Sequence, residues 1–273
     1  MAGGFGTRLR PLTNNLPKPM VPMVNRPMME HIIELLKKNS ITDLTALLYF
    51  QPEMISERLG DGSAFGVKLG YTTLTVDLGT AGAVGSAMRR LEGDETTLII
   101  SGDVLTDIDL NKAVQFHKEK GSVATIVLTR VENPLPFGIV ITDEDGRIMR
   151  FLEKPSWGEV FSDTINTGIY ILEKKVLDFI PVDKEFDFSK DLFPALLEKG
   201  EPIYGYTAKG YWKDVGSLEE YRTANMDILQ GLVTVDIHGD QIDGRRLWVG
   251  KDSRIDFTAK FEGSVVIGEN CKV

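Results

Sequence analysis

The sequence predicts an α/β protein: a Rossmann-like, doubly wound mixed sheet with helices on both faces, an inserted β-region, and the start of a left-handed parallel β-helix at the C-terminus. Three observations predict it. Apolar strand-like runs alternate with helical stretches as far as Arg130. A glycine-rich loop, Gly3-Gly4-Phe5-Gly6-Thr7-Arg8, opens that alternation. From Val249 onward, apolar residues fall at every sixth position.

The elements follow in order. Pro27 sits where a helix would start, and Met28, Ile32, Leu35 and Leu36 recur at helical spacing up to Asn39. Residues 44–50 form an apolar run of strand length, Pro52 opens a short helix that ends near Gly60, and 67–72 reads as a second strand. Gly82 to Leu91 reads as a third helix, and Thr97-Leu98-Ile99-Ile100 is a buried strand running into Ser101-Gly102-Asp103. A helix over 109–119 and a strand over 122–130 complete a parallel, doubly wound pattern, in which ligands bind beyond the carboxyl ends of the strands. The second half changes character. Residues 137–142 and 147–152 alternate like strands on either side of Asp145-Gly146, which predicts a β-hairpin.

Strands at 165–172 and 202–207 and helices at 174–180, 189–199 and 217–230 are expected to wrap the same core, because no Ser/Pro-rich linker intervenes. This places one catalytic domain over 1–232. The remainder, 233–273, reads as a linker and the beginning of a hexapeptide repeat carried by Val249, Ile255, Phe261, Ile267 and Val273. Chance spacing in an apolar chain is the competing explanation. Repeat folds need several stacked units, so the natural protein is expected to continue past Val273.

Composition narrows the partners. A formal charge of −9 over 273 residues argues against nucleic acid or an anionic membrane as a main partner. It leaves room for an anionic small substrate in a locally positive cleft. The single cysteine, Cys271, cannot form an internal disulfide, and no leader or long apolar run is visible, so a cytoplasmic protein is expected.

The opening loop carries the chemistry. Three glycines in four positions let peptide N–H groups turn toward an oxyanion, and Arg8 and Lys18 bring a planar fork and a compact charge to the same place. Neither the P-loop spacing nor the dinucleotide fingerprint fits. A flexible glycine-rich terminus is the bland alternative. The full run Gly-Gly-x-Gly-Thr-Arg-Leu-x-Pro-Leu-Thr, followed by Pro17-Lys18-Pro19-Met20, resembles the motif of the sugar-phosphate nucleotidyltransferases, and the likeness extends to about Gln230. Within that family the chain looks most like mannose-1-phosphate guanylyltransferases of the type fused to phosphomannomutase-like domains. Family members place a hydrophobic strand before the loop, whereas only Met1 and Ala2 precede it here. Either the start is truncated or the protein manages without that strand.

The resemblance implies attack by a sugar 1-phosphate on the α-phosphorus of a nucleoside triphosphate, with pyrophosphate released. Such a reaction needs charge neutralisation and in-line placement rather than a general base. That agrees with the scatter of His31, His117 and His238.

It also implies roles for particular residues. Arg8, Lys18 and Asp103 would be catalytic. Gly3, Gly4, Gly6, Thr7, Arg8, Gly79 and Thr80 would bind the nucleotide. Gly138, Glu153, Lys154 and Asn166 would bind the sugar phosphate, and Asp103 and Asp214 would hold Mg²⁺. The bland alternatives are a turn or cap for Asp103 and Asp214, a solvated pair for Glu153-Lys154, an Asx turn for Asn166 and a helix start for Gly79 and Gly82. Ser217 is the better cap for the helix after Asp214.

Thr75-Val76-Asp77 departs from the family's acidic residues and proline before the base-side loop, which leaves base identity open between guanine and the bases of glucose-1-phosphate enzymes. A noncatalytic nucleotide-sugar-binding subunit is the reading from another class. Homo-oligomerisation is expected of either.

Overall fold

The computed structural model describes residues 1–91, 96–153, 162–242 and 246–273. A short ribbon, β1 (Pro22–Met23) with β2 (Arg26–Pro27), leads into α1 (Met28–Lys38). α1 buries Ile32, Ile33, Leu35 and Leu36 on one face and ends on exposed Lys37 and Lys38, whose charge suits a helix C-terminus. Next, β3 (Asp43–Leu48), α2 (Pro52–Leu59) and β4 (Lys68–Thr73) make a βαβ unit with parallel strands.

The chain continues through α3 (Gly79–Met88), β5 (Thr97–Ile100), β6 (Val104–Thr106), α4 (Leu110–Lys120) and β7 (Ala124–Arg130). The expected hairpin is β8 (Gly138–Thr142) with β9 (Ile148–Glu153), turning through Gly146 at φ 84°. β10 (Thr164–Leu172), α5 (Phe193–Glu198), β11 (Ile203–Thr207), β12 (Trp212–Asp214) and α6 (Leu218–Gln230) complete the body.

Three elements differ from expectation. The third helix starts at Gly79 rather than Gly82, because the Phe186 carbonyl accepts from Ala81 and Gly82 N–H and closes the first turn. Lys174–Asp178 is a 3₁₀ segment. The helix expected over 189–199 opens as a π-turn, Phe188–Leu192, and turns α-helical at Phe193, with Pro194, which has no N–H, at the junction.

The main sheet has the order β11-β7-β10-β8-β9, with β5 also on β10. β7 and β11 are parallel, but β10 lies between β5 and β7 and runs antiparallel to both. The parallel pattern is thus interrupted by β10, and the edge strand β9, antiparallel to β8, is reversed as well, so the sheet is mixed. β7 is buried from Ala124 to Thr129, as befits a strand covered on both faces. The register of β10 slips between Asn166 and Tyr170, and Gly168 there has φ 76°.

Ahead of the glycine loop, Ala2 bridges Leu48 of β3, and the Met1 carbonyl accepts from Gly102 N–H at 2.6 Å, just past β5. Two residues therefore anchor the loop between the carboxyl ends of β3 and β5.

The tail adds β13 (Asp240–Gln241), β14 (Leu247–Val249) and β15 (Val265–Ile267). β14 pairs with β15 in parallel, placing Val249 beside Ile267, and Arg254 bridges Lys272 in parallel in the same register. Val235, Ile237 and Val266 pack on a core patch of Val21, Met23, Leu105 and Ile228.

Candidate active site

The site is built where strand ends meet. A cavity of about 440 Å³ opens between the glycine loop and the start of α3, with Gly3, Gly4, Lys18, Asp103, Thr80 and Glu185 in its wall. Gly6 turns the loop at φ 63° into a short 3₁₀ turn, Thr7–Leu9, and its carbonyl accepts from Thr13 Oγ1 at 2.7 Å. A side chain at Gly6 would need strained backbone, and its Cβ would lie 2.9 Å from Thr13 Cγ2 and 3.0 Å from Lys18 Cβ. Phe5 anchors the outer edge of the loop against Tyr49 and Phe50.

Lys18 opens its own 3₁₀ turn behind Pro17 and is buried. Its ammonium donates to Asp103 Oδ2 at 2.7 Å and stands 3.8 Å from Asp214 Oδ1. The β6–β12 ribbon explains the juxtaposition. Asp214 pairs with Val104 across the antiparallel ladder, and Val215 N–H donates to the Asp103 carbonyl at 2.9 Å, so the turn residue Asp103 at the head of β6 lies beside Asp214 at the end of β12. Ser217 caps α6 by accepting from Glu220 N–H, as expected, which leaves Asp214 free of that task.

Arg8 completes the cluster across Gly216: a Cβ on Gly216 would lie 2.9 Å from Arg8 Nη2 and 3.0 Å from Asp214 Oδ2. Burial pushes the Asp214 carboxyl above its ordinary range, the neighbouring Asp103 charge adds to this, and Lys18 and Arg8 oppose it.

The sugar-side residues are arranged differently. Gly138 pairs with Glu153 in the hairpin, and a Cβ there would meet the Phe151 ring and Glu153 Oε2, so its bareness accommodates the protein's own side chains. Asn166 makes an Asx turn, accepting from Gly168 N–H at 2.9 Å, and its Nδ2 donates to the Tyr170 hydroxyl at 3.1 Å. Lys154 lies outside the described residues.

Gly79 and Thr80 form the first turn of α3, as the bland alternative had it, while still lining the cavity. Phe186 backbone packs against Gly79, and the Thr80 hydroxyl donates to Asp187 Oδ2 at 2.8 Å. The small residues of this loop thus admit protein backbone. At the start of α3 the Phe186 carbonyl occupies the amides of Ala81 and Gly82, and Asp77 Oδ1 accepts from Gly79 N–H at 2.9 Å.

Sequence reasoning missed several participants. Tyr170 is buried against Phe188 and Phe193 and orients Asn166; in the sequence it is one more inward strand residue. Trp212 donates to the Thr167 carbonyl at 2.9 Å and so supports the slipped segment of β10, while Glu185 and Asp187 reach the cavity from a loop that carries no motif. Gly216, two residues after the aspartate named from the sequence, stands in the run Trp212-Lys213-Asp214-Val215-Gly216, and a bare residue that close to a candidate ligand was the signal that could have found it.

Fold and site together define an α/β protein with a cation–carboxylate centre beside a glycine-rich loop. Residues 1–231 match the nucleotidyl transferase family. The chain belongs to that family, among the sugar-1-phosphate nucleotidyltransferases.

It is 37% identical over 98% of its length to a UTP--glucose-1-phosphate uridylyltransferase of Synechocystis, covering 72% of that protein. It is also 37% identical over 85% of its length to a mannose-1-phosphate guanylyltransferase of Mycobacterium tuberculosis, covering 64% of it. The chain thus spans about two thirds of the length of these relatives. Among solved structures, a putative glucose-1-phosphate thymidylyltransferase from Bacillus anthracis, in complex with a sucrose, superposes with TM-score 0.74 at 28% identity, over 82% of this chain and 92% of that one. HddC from Yersinia pseudotuberculosis complexed with GMP-PN gives 0.71 at 26%, over 83% and 96%. Among the described residues no helix is long and apolar enough to cross a membrane.

Proposed function

We propose that the substrates are GTP and mannose 1-phosphate and that the product is GDP-mannose. A phosphate oxygen of the sugar 1-phosphate attacks the α-phosphorus; a new P–O bond forms, the α–β bridging P–O bond breaks, and pyrophosphate leaves with its charge. No proton has to move, because a phosphate monoester is already nucleophilic at neutral pH. The observation that carries the reading is the cluster of Arg8, Lys18, Asp103 and Asp214 beside an anchored glycine loop. Two anions must meet there, and the cations offset their repulsion.

In this reading Gly3, Gly4, Gly6, Thr7 and Arg8 hold the triphosphate, with Gly79 and Thr80 beside the base. Gly138, Glu153, Lys154 and Asn166 take the sugar phosphate. Asp103 and Asp214 suit a hard divalent ion such as Mg²⁺: both supply carboxylate oxygens from neighbouring backbone at the head of β6 and the end of β12, beside the glycine loop. When bound, Mg²⁺ would supply charge neutralisation on the phosphates.

Guanine is favoured over other bases by two supports. Asp77, Glu185 and Asp187 line the cavity, and adjacent N–H donors on guanine suit carboxylate acceptors, whereas uracil and thymine present one N–H between two carbonyls. The guanylyltransferase relatives and the nucleotide complex of HddC point the same way. A glucose-1-phosphate enzyme is the second reading, favoured by the Synechocystis relative.

We further read 1–232 as the catalytic domain, 233–273 as a linker and the first coil of a β-helix, and the whole as a cytoplasmic homo-oligomer. A pyrophosphate-release assay tests the substrates: GTP with mannose 1-phosphate against UTP, dTTP and ATP with glucose 1-phosphate. Preference for any glucose 1-phosphate pair would replace the first reading by the second, and silence throughout would favour a noncatalytic binding subunit.

A further inference from the structure

We propose that Lys18 is the resident counter-cation of the metal site: without a divalent ion its ammonium holds the Asp103–Asp214 pair together, and ion and lysine exchange on that pair, releasing Lys18 toward the triphosphate. This rests on the reading above of the two aspartates as metal ligands.

The geometry argues for it in three steps. First, the carboxylates cannot separate. Their backbones are tied by the β6–β12 ladder and by the bond from Val215 N–H to the Asp103 carbonyl at 2.9 Å. Two like charges fixed side by side and partly buried are relieved by a proton on one of them or by a cation beside both, and a cation is what this structure supplies.

Second, Lys18 already occupies that place. Its Nζ lies 2.7 Å from Asp103 and 3.8 Å from Asp214, and its side chain is only 9% exposed. Among the described residues neither aspartate forms another ion pair.

Third, the ammonium has somewhere to go. The Lys18 backbone is held in its 3₁₀ turn, but the charge sits on a flexible four-carbon stem that passes beside Gly6, with Lys18 Cβ 3.0 Å and Cγ 3.5 Å from where a Gly6 Cβ would stand. A lysine displaced from the aspartates therefore remains next to the loop that would hold phosphate. The consequence is an order of events: without a divalent ion Lys18 is engaged by the two carboxylates and the site is a poor phosphate trap, and arrival of the ion would free Lys18 to meet the nucleotide.

The test is Mn²⁺ binding to the nucleotide-free protein, followed by electron paramagnetic resonance, for wild type, Lys18→Met and Lys18→Met/Asp214→Asn. Removing the resident cation should tighten Mn²⁺ binding by about tenfold or more, since a unit charge at this range is strongly felt in a partly buried site. The double variant should lose that gain. Equal, weaker or undetectable binding in Lys18→Met overturns the exchange. Gained affinity that survives Asp214→Asn instead overturns the ligand assignment itself, so the two failures are distinguishable. Should Lys18→Met not fold, Lys18→Gln, which keeps a donor for Asp103, carries the same comparison.

Discussion

Replacing Gly216 with alanine separates the geometry of the site from the stability of the fold. Gly216 lies between β12 and α6 and is not among the glycines with positive φ, so alanine is acceptable to the backbone. Its methyl group would nevertheless lie 2.9 Å from Arg8 Nη2 and 3.0 Å from Asp214 Oδ2. Comfortable contacts begin near about 3.5 Å, so one or both groups must move by roughly 0.5 Å. Both are ends of side chains with room to yield, and the stability change should stay below about 1 kcal/mol.

Catalysis is less forgiving: a misplacement of about 1 Å can lower a rate by about 10², so half that shift corresponds to roughly tenfold in kcat/KM. The assay is steady-state pyrophosphate release, run beside a urea melt of the same preparation. Gly6→Ala is the contrast, because there the left-handed backbone and the contacts with Thr13 and Lys18 should remove about 1–2 kcal/mol of stability as well as activity. Wild-type kcat/KM in Gly216→Ala would refute the claim that Arg8 and Asp214 must lie side by side.

Arg8→Ala should lower turnover by roughly 10²–10³ with little change in melting, since it forms no ion pair among the described residues; single-turnover quench-flow would show whether the chemical step is what slows. Glu185→Gln should narrow the preference for GTP over UTP while leaving kcat with saturating GTP near wild type, measured as a ratio of kcat/KM values; an unchanged ratio would remove Glu185 from base selection. His31 is buried, with Nε2 3.1 Å from the Met23 carbonyl, and burial lowers its pKa from 6.5 to about 4. Between those values the unfolded chain binds a proton that the folded one refuses, so stability should fall as pH drops from about 6.5 to about 4. Urea midpoints across that window should slope less in His31→Gln.

The first half of the fold was legible because its signals are local. Pro27 and Pro52 mark helix starts, and the run into Ser101-Gly102-Asp103 has the composition of a buried strand that ends at a site. The reversal of β10 was not legible: which neighbours a strand takes depends on the crossover before it, and nothing in Thr164–Leu172 encodes direction.

The site shows the same division. Arg8, Lys18, Asp103 and Asp214 were each nameable from short motifs, but an ammonium shared between carboxylates 85 and 196 positions away is a fact of tertiary structure alone. Glycine was the most ambiguous letter. Gly79, Gly138 and Gly216 all invite the reading that a ligand approaches bare backbone, yet each is bare for a different neighbour: the Phe186 main chain, the Phe151 and Glu153 side chains, and the side-chain ends of Arg8 and Asp214. Only the last lies within the charged cluster. An alanine scan of the three should therefore separate them, with Gly79→Ala, at φ 65° and 2.7 Å from the Phe186 carbonyl, losing stability first, and Gly216→Ala losing rate without it.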